Sequence, residues 1–165
     1  MKLDEIEILL LDESDKVGVY SCKVNGSDLS EFELFLQKYK DSEHQEAIAT
    51  IMARIVRLKE DGCYERYFRY EGARKDRLFA LPSHYDVGNL RIFCLVLSPN
   101  ILILGNGGLK TTRTYNEDAW LYSCADFLQR LDKKIKYFEK SGILTLEGKT
   151  IKGKTLFKMK RNEKE

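Results

Sequence analysis

Apolar and polar residues alternate along the chain in a pattern that predicts several short strands. Residues 5–12 and 17–24 read as two strands joined by a polar turn, which predicts a hairpin. Residues 90–97 and 101–104 form a second strand pair around a Ser-Pro-Asn turn. Because 101–104 is entirely apolar, we expect it to lie centrally in the sheet with both faces buried. A shorter strand is expected at residues 77–81.

The helical pattern is an interval of three and four residues between apolar positions. It predicts two consecutive helices between residues 28 and 60, the first opened by a capping box of Ser30 and Glu33. Only a few residues join the two, so we expect an antiparallel helical hairpin. The same spacing is clearest over residues 116–140, which predicts one long helix.

Together these elements predict an α+β protein in which one domain spans residues 1–165. We expect the N-terminal helical hairpin to pack on a mainly antiparallel, twisted sheet, followed by the long C-terminal helix. Residues 142–165 add a basic extension, interpreted as either a last hairpin around Gly148 or a tail.

Composition narrows the function classes, and the charge distribution matters more than the total. A hydrophobic fraction of 43% excludes global disorder. The net charge of +2 is unevenly placed, because residues 1–60 carry a balance of −5 and residues 61–165 one of +7. Such asymmetry favours a surface that faces a polyanion, and a solvated basic face is the alternative.

The four cysteines, Cys22, Cys63, Cys94 and Cys124, lie 30 or more residues apart. No CxxC pair occurs, so nothing indicates a zinc site, and four cysteines without a disulfide pattern favour a reducing compartment. The N-terminus does not resemble a signal peptide, and no apolar run approaches the ~20 residues of a membrane span. We therefore expect a cytoplasmic protein that does not engage membranes.

Two features of the sequence resemble cofactor-binding sites, and neither has the residues that such a site needs. The segment 102–112 resembles a phosphate-binding P-loop, but counting back from Lys110 its two glycine positions hold Leu109 and Leu104. We instead expect a glycine turn at residues 105–108, with glycine supplying positive φ. The histidines His44 and His84 lie 40 residues apart, and neither suggests a metal site. We expect no metal and no nucleotide cofactor.

A basic and aromatic group in the middle of the chain is the feature most typical of a functional site. Arg91 lies inside the strongest strand, on the same face as Phe93. Lys110 and Arg113 follow the next strand, so pairing of the two strands would bring these cations close together. They could neutralise phosphates while aromatic rings stack on unpaired bases. A structural Arg91 paired with Asp76 or Asp86 is the equally weighted alternative.

The stretch from Leu90 to Asp118 resembles the RelE/HigB-like toxin family of bacterial type II toxin–antitoxin systems. Three features carry this resemblance. They are the group Leu90-Arg91-Ile92-Phe93, the turn and apolar strand that follow it, and the lysine-containing segment 110–114, after which an acidic segment begins a helix. The short strand before the arginine and the upstream helical pair fit the family order β-α-α-β-β-β-α. The resemblance covers about residues 16–141.

This resemblance implies ribosome-dependent cleavage of mRNA by attack of the RNA 2′-hydroxyl, without a metal. On the matching positions, Arg91 would contact the scissile phosphate, Lys110 and Arg113 would stabilise charge, and Tyr115 would stack or donate a proton. Further RNA-binding candidates are Arg74, Lys75, Arg77 and His84. The expected partners are mRNA on the ribosome and a small antitoxin protein encoded nearby. The alternatives are a non-catalytic RNA- or protein-binding module on the same fold and a purely structural partner protein.

Overall fold

The computed structural model describes residues 2–40, 42–70, 76–82, 88–111 and 118–161. Its strands are β1 (Leu3–Glu13), β2 (Gly18–Val24), β3 (Arg69–Tyr70), β4 (Leu78–Leu81), β5 (Leu90–Ser98), β6 (Ile101–Leu109), β7 (Leu144–Glu147), β8 (Thr150–Gly153) and β9 (Leu156–Lys160). The helices are α1 (Glu31–Tyr39), α2 (Gln45–Asp61) and α3 (Ala119–Lys140), with one-turn 3-10 helices at Ser42–His44 and Glu65–Tyr67. The predicted α+β class is confirmed.

One mixed sheet forms the centre of the molecule, with the strand order β3-β4-β5-β6-β2-β1-β9 within the described residues. All neighbouring strands pair antiparallel except β2 and β6, which run parallel. The predicted hairpins β1–β2 and β5–β6 are both present. Strand β6 lies centrally, and its residues 101–104 are at most 1% exposed, as the apolar run predicted.

Helices cover both faces of this sheet. The buried side of α3 packs with Phe93 and Leu95 of β5. Helices α1 and α2 pack with the alternate residues Ile92 and Cys94 on the opposite face. This division follows the period of two along β5, since successive side chains of a strand point to opposite faces. The antiparallel packing of α1 against α2 stays a prediction.

The first helix begins where the sequence predicted. The Ser30 hydroxyl accepts a hydrogen bond from the Glu33 amide at 3.2 Å, and the Glu33 carboxylate accepts one from the Ser30 amide at 3.1 Å. This capping box satisfies two backbone donors that the helix itself leaves without partners. Helix α3 begins similarly, because the Asp118 carboxylate accepts from the Leu121 amide at 2.9 Å.

The glycine segment at 105–108 is not the predicted turn. Strand β6 continues through it to Leu109, and none of these glycines has positive φ. Close packing explains the glycine at 107, because a β-carbon there would lie 1.9 Å from the carbonyl oxygen of Arg91. The segment is therefore extended backbone, and at Gly107 there is too little space for a side chain.

The C-terminal extension belongs to the fold, so the tail interpretation is wrong for residues up to 161. Strands β7 and β8 form the predicted hairpin around Gly148. Strand β9 leaves that hairpin and pairs with β1 along the edge of the large sheet, with Ile6 opposite Phe157. Across the described part of the chain, no helix is long and apolar enough to span a membrane.

Candidate nucleic-acid interface

Strand pairing brings Arg91 and Lys110 to one end of the central sheet. Leu90 pairs with Leu109 and Arg91 with Gly108, and the Lys110 amide donates to the Asn89 carbonyl oxygen at 2.8 Å. The proximity expected from the hairpin is thus present in the backbone. We call this end, residues 88–91 and 107–111, the rim.

Arg91 lies mostly beneath the surface of the rim. The residue is only 8% exposed to solvent. The guanidinium Nη1 donates to the carbonyl oxygens of Gly88 at 2.8 Å and Leu90 at 3.0 Å. These bonds fix the backbone where β5 begins. Asp76 and Asp86 are the two carboxylates that the sequence offers as partners of Arg91. The Asp76 carboxylate accepts a hydrogen bond from the side-chain amide of Gln129 at 3.4 Å, and Asp86 lies outside the described residues.

Lys110 is the more accessible cation of the rim. It is half-buried, and no carboxylate among the described residues lies within ion-pair distance of its ammonium group. Two cations at one end of the sheet, of which Lys110 has no carboxylate partner among the described residues, favour a local positive potential that attracts anions.

Arg77 is not part of the rim. Its Nε lies 2.7 Å from Oδ1 of Asp132, and its Nη2 lies 3.4 Å from the Glu139 carboxylate. Its carbonyl oxygen accepts from the Val96 amide, near the other end of β5. The arginine therefore ties the start of β4 to α3, and the structure does not bring it together with Arg91 and Lys110. The remaining candidates lie outside the described residues: Arg74, Lys75, His84, Arg113 and Tyr115.

Trp120, which the sequence analysis did not include among the site residues, also lies against the rim. Its indole Nε1–H donates to the Gly107 carbonyl oxygen at 2.8 Å, and the residue is 45% exposed. A β-carbon at Gly108 would come within 3.1 Å of the indole Cδ1. Its position in the first turn of α3, off the buried stripe of that helix, is the signal that could have identified it.

A half-buried carboxyl group, that of Glu31, lies near the same end of β6. Burial raises the pKa of Glu31, and a hydrogen bond from the Asn106 side chain opposes that rise. The Asn106 Oδ1 in turn accepts from the Gly107 amide at 2.8 Å. This chain of contacts links the start of α1 to the rim.

The thiols show none of the properties of a nucleophile or metal ligand. All four cysteines are buried, and none forms a disulfide. Burial raises the pKa of Cys22 and Cys94, and that of Cys63 to about 12. Thiols with raised pKa values hold their protons at neutral pH and react slowly. In the described ranges, no three His, Cys, Asp or Glu side chains are grouped so that they could hold a metal ion.

No family model, no curated protein and no solved structure matches this chain.

Proposed function

We propose that this chain is a RelE/HigB-like toxin-type protein that cleaves mRNA on the ribosome. The carrying observation is the β5–β6 register, which brings Arg91 and Lys110 to one rim. Cations held in place before the reaction stabilise charge that develops on a phosphate, and this is usually the largest contribution to such catalysis.

The order of elements supports the same proposal. Within the described residues, β2, α1, α2, β4, β5, β6 and α3 follow one another in the order that the family resemblance implies, apart from the two-residue strand β3. Strands β4, β5 and β6 are also neighbours in the sheet. The added strands β1 and β9 lie beyond β2, away from the rim formed by β5 and β6.

The proposed reaction needs no group beyond the RNA and the protein. The 2′-oxygen forms a bond to the adjacent phosphorus while the bond from phosphorus to the 5′-oxygen breaks. The 2′-proton passes to a base, and the leaving 5′-oxygen takes up a proton. The products carry a 2′,3′-cyclic phosphate and a 5′-hydroxyl.

Arg91 and Lys110 differ in their exposure to solvent, and this difference suggests different roles for them. We assign phosphate contact to Lys110, because it is the accessible ammonium. Arg91 adds positive potential from beneath while it holds the backbone at Gly88. Arg113 and Tyr115 remain candidates from the sequence for charge stabilisation and for stacking or proton donation.

The partners follow from this activity and belong to the proposal. The substrate is mRNA in the ribosome, which implies a cytoplasmic location. A small antitoxin protein encoded nearby would restrain the activity by covering the rim. A short open reading frame beside this one, coding for a helix-turn-helix or acidic helical protein, would support this assignment.

Inducible expression in bacteria tests the proposal. The wild-type chain is expected to arrest growth, and Lys110→Ala is expected to relieve the arrest. Lys16→Ala is the matched control, because Lys16 is an exposed lysine in the turn before β2, at the opposite end of the sheet. Normal growth with abundant, folded wild-type protein would contradict the toxin assignment.

The burial of Arg91 specifically favours a second candidate, a non-catalytic RNA-binding module. A guanidinium occupied by two backbone carbonyl groups is less available to a phosphate than an exposed one. This candidate predicts RNA affinity that falls steeply between low and moderate salt, without cleavage. End-mapping of RNA incubated with the protein on ribosomes distinguishes the two.

A further inference from the structure

Trp120 presents an aromatic ring to solvent beside the rim. At 45% exposure it is only partly covered, although tryptophan is on average a highly buried residue. The indole is nevertheless held in place, because Nε1–H donates to the Gly107 carbonyl oxygen at 2.8 Å. A ring that is fixed and partly exposed loses little conformational entropy when a flat ligand stacks on its free surface.

Lys38, at the end of α1, places a positive charge next to this ring. Its ammonium lies 5.1 Å from the centroid of Trp120 and 5.4 Å from that of Tyr39. The lysine is exposed, and no carboxylate within the described ranges comes within ion-pair distance of it. Among the described residues its ammonium contacts aromatic rings and no carboxylate, so it is available to an anionic group of a ligand.

The aromatic side chains next to Lys38 pack against the rim at a glycine of β6. The hydroxyl of Tyr39 and the indole of Trp120 both approach Gly108, the residue paired with Arg91. Lys110 follows two residues later, about 7 Å along an extended strand. An aromatic face and two accessible ammonium groups therefore lie within a few nucleotides' reach of one another.

We propose that Trp120 and Lys38 form a stacking platform for one unpaired nucleobase of single-stranded RNA, with Lys38 contacting its phosphate. This inference rests on the proposed function and names the substrate contact next to the reacting phosphate. Base–aromatic stacking is tolerant of sequence, because every base has a π-face. The platform therefore binds a nucleotide beside the one contacted by Lys110, without selecting its identity.

The chain offers a direct readout, because Trp120 is its only tryptophan. Titration of the purified protein with 12-nucleotide oligouridine at low salt is expected to quench the indole fluorescence saturably. The affinity measured in this way should agree with the anisotropy of a labelled copy of the same oligonucleotide. Added NaCl should reverse both signals together.

Four variants locate the contact by anisotropy of the labelled oligonucleotide. Trp120→Ala is expected to weaken binding about tenfold, whereas Trp120→Phe retains a stacking face and should stay within about threefold of wild type. Lys38→Ala should lower the affinity and reduce the salt slope by about one. Tyr137→Ala removes an exposed ring at the far end of α3 and should leave binding unchanged. Urea unfolding of each variant shows that it is folded.

Two outcomes overturn the platform in distinguishable ways. If the labelled RNA binds, but indole emission stays constant and folded Trp120→Ala binds like wild type, the platform is wrong and the proposed function stands. If no RNA binds at any salt concentration and ribosome-bound mRNA stays intact, the proposed function fails and the platform fails with it. Saturable quenching together with the expected order of variants supports the platform.

Discussion

Arg77 and Asp132 form an ion pair that joins the sheet to its long helix. The Nε–Oδ1 distance is 2.7 Å, and the Asp132 side chain is only 3% exposed. Lys136 also lies 3.2 Å from the second oxygen of Asp132. Because residue 77 directly precedes β4 and Asp132 lies in the middle of α3, the pair fixes how the helix crosses the sheet.

Removing one member of this pair should destabilise the protein strongly. Asp132→Ala leaves the mostly buried Arg77 guanidinium without its nearest counter-charge, and we expect a loss of about 3 kcal/mol in the free energy of unfolding. Urea denaturation followed by circular dichroism measures this. Glu147→Ala is the control, because it removes a surface pair with Lys152 and should cost under about 1 kcal/mol. Equal effects of the two variants would show that the Arg77–Asp132 pair has no structural role.

Gly107 should tolerate no side chain. The added β-carbon of Gly107→Ala would meet the Arg91 carbonyl oxygen at 1.9 Å, so β5 and β6 would have to separate. We expect a loss of about 3 kcal/mol in the free energy of unfolding.

Gly26 provides the comparison for that variant, because its φ is +69° but nothing lies within 4 Å of an added β-carbon. Gly26→Ala should cost only the left-handed backbone penalty, about 1 kcal/mol. If Gly107→Ala proves the milder of the two, the tight strand contact at the rim is wrong. Thermal denaturation of both variants gives the answer.

Glu31 and Glu33 should give opposite pH dependences of stability. Burial raises the pKa of Glu31 in the folded state above its ordinary 4.5, so its contribution is full below that value and is lost as pH rises towards the folded pKa. The Ser30 amide lowers the pKa of Glu33, so its contribution is present above pH 4.5 and is lost as pH falls.

The measurement is the free energy of unfolding from pH 3 to 7 for wild type, Glu31→Gln and Glu33→Gln. The stability of wild type relative to Glu31→Gln should decline as the pH rises above 4.5. Relative to Glu33→Gln it should increase from pH 3 to pH 4.5. Parallel curves for wild type and Glu31→Gln would contradict the burial of the Glu31 carboxyl.

The cysteines should be unreactive in the native protein. All four are buried, and the raised pKa values of Cys22, Cys63 and Cys94 suppress the thiolate form that reacts. Ellman's reagent at pH 8 should modify fewer than one thiol per native chain within minutes, and four in urea. Rapid modification of any native thiol would show that its site opens.

The sequence correctly predicts those parts of the fold that depend on interactions between residues close together in the chain. The alternation in β1 and β2, the turn between β5 and β6, and the capping box at Ser30 depend on residues a few positions apart. Hairpin pairing then follows from the short turn, and with it the approach of Lys110 to Arg91.

The features that the sequence did not predict depend on interactions between residues far apart in the chain. Gly107 reads as a turn residue because nothing local reveals the Arg91 carbonyl beside it. Arg77 reads as a free cation because Asp132 is 55 residues away. The pairing of β9 with β1 joins the two ends of the chain, and neither strand specifies that partner by its own pattern.

The most direct test of the account is cleavage of an mRNA on programmed ribosomes by the purified protein. We predict products that end in a 2′,3′-cyclic phosphate and a 5′-hydroxyl for wild type and Lys16→Ala, and a rate about 100-fold lower for Lys110→Ala. Intact mRNA with the folded wild-type protein, or equal cleavage by Lys110→Ala and Lys16→Ala, would contradict a catalytic rim.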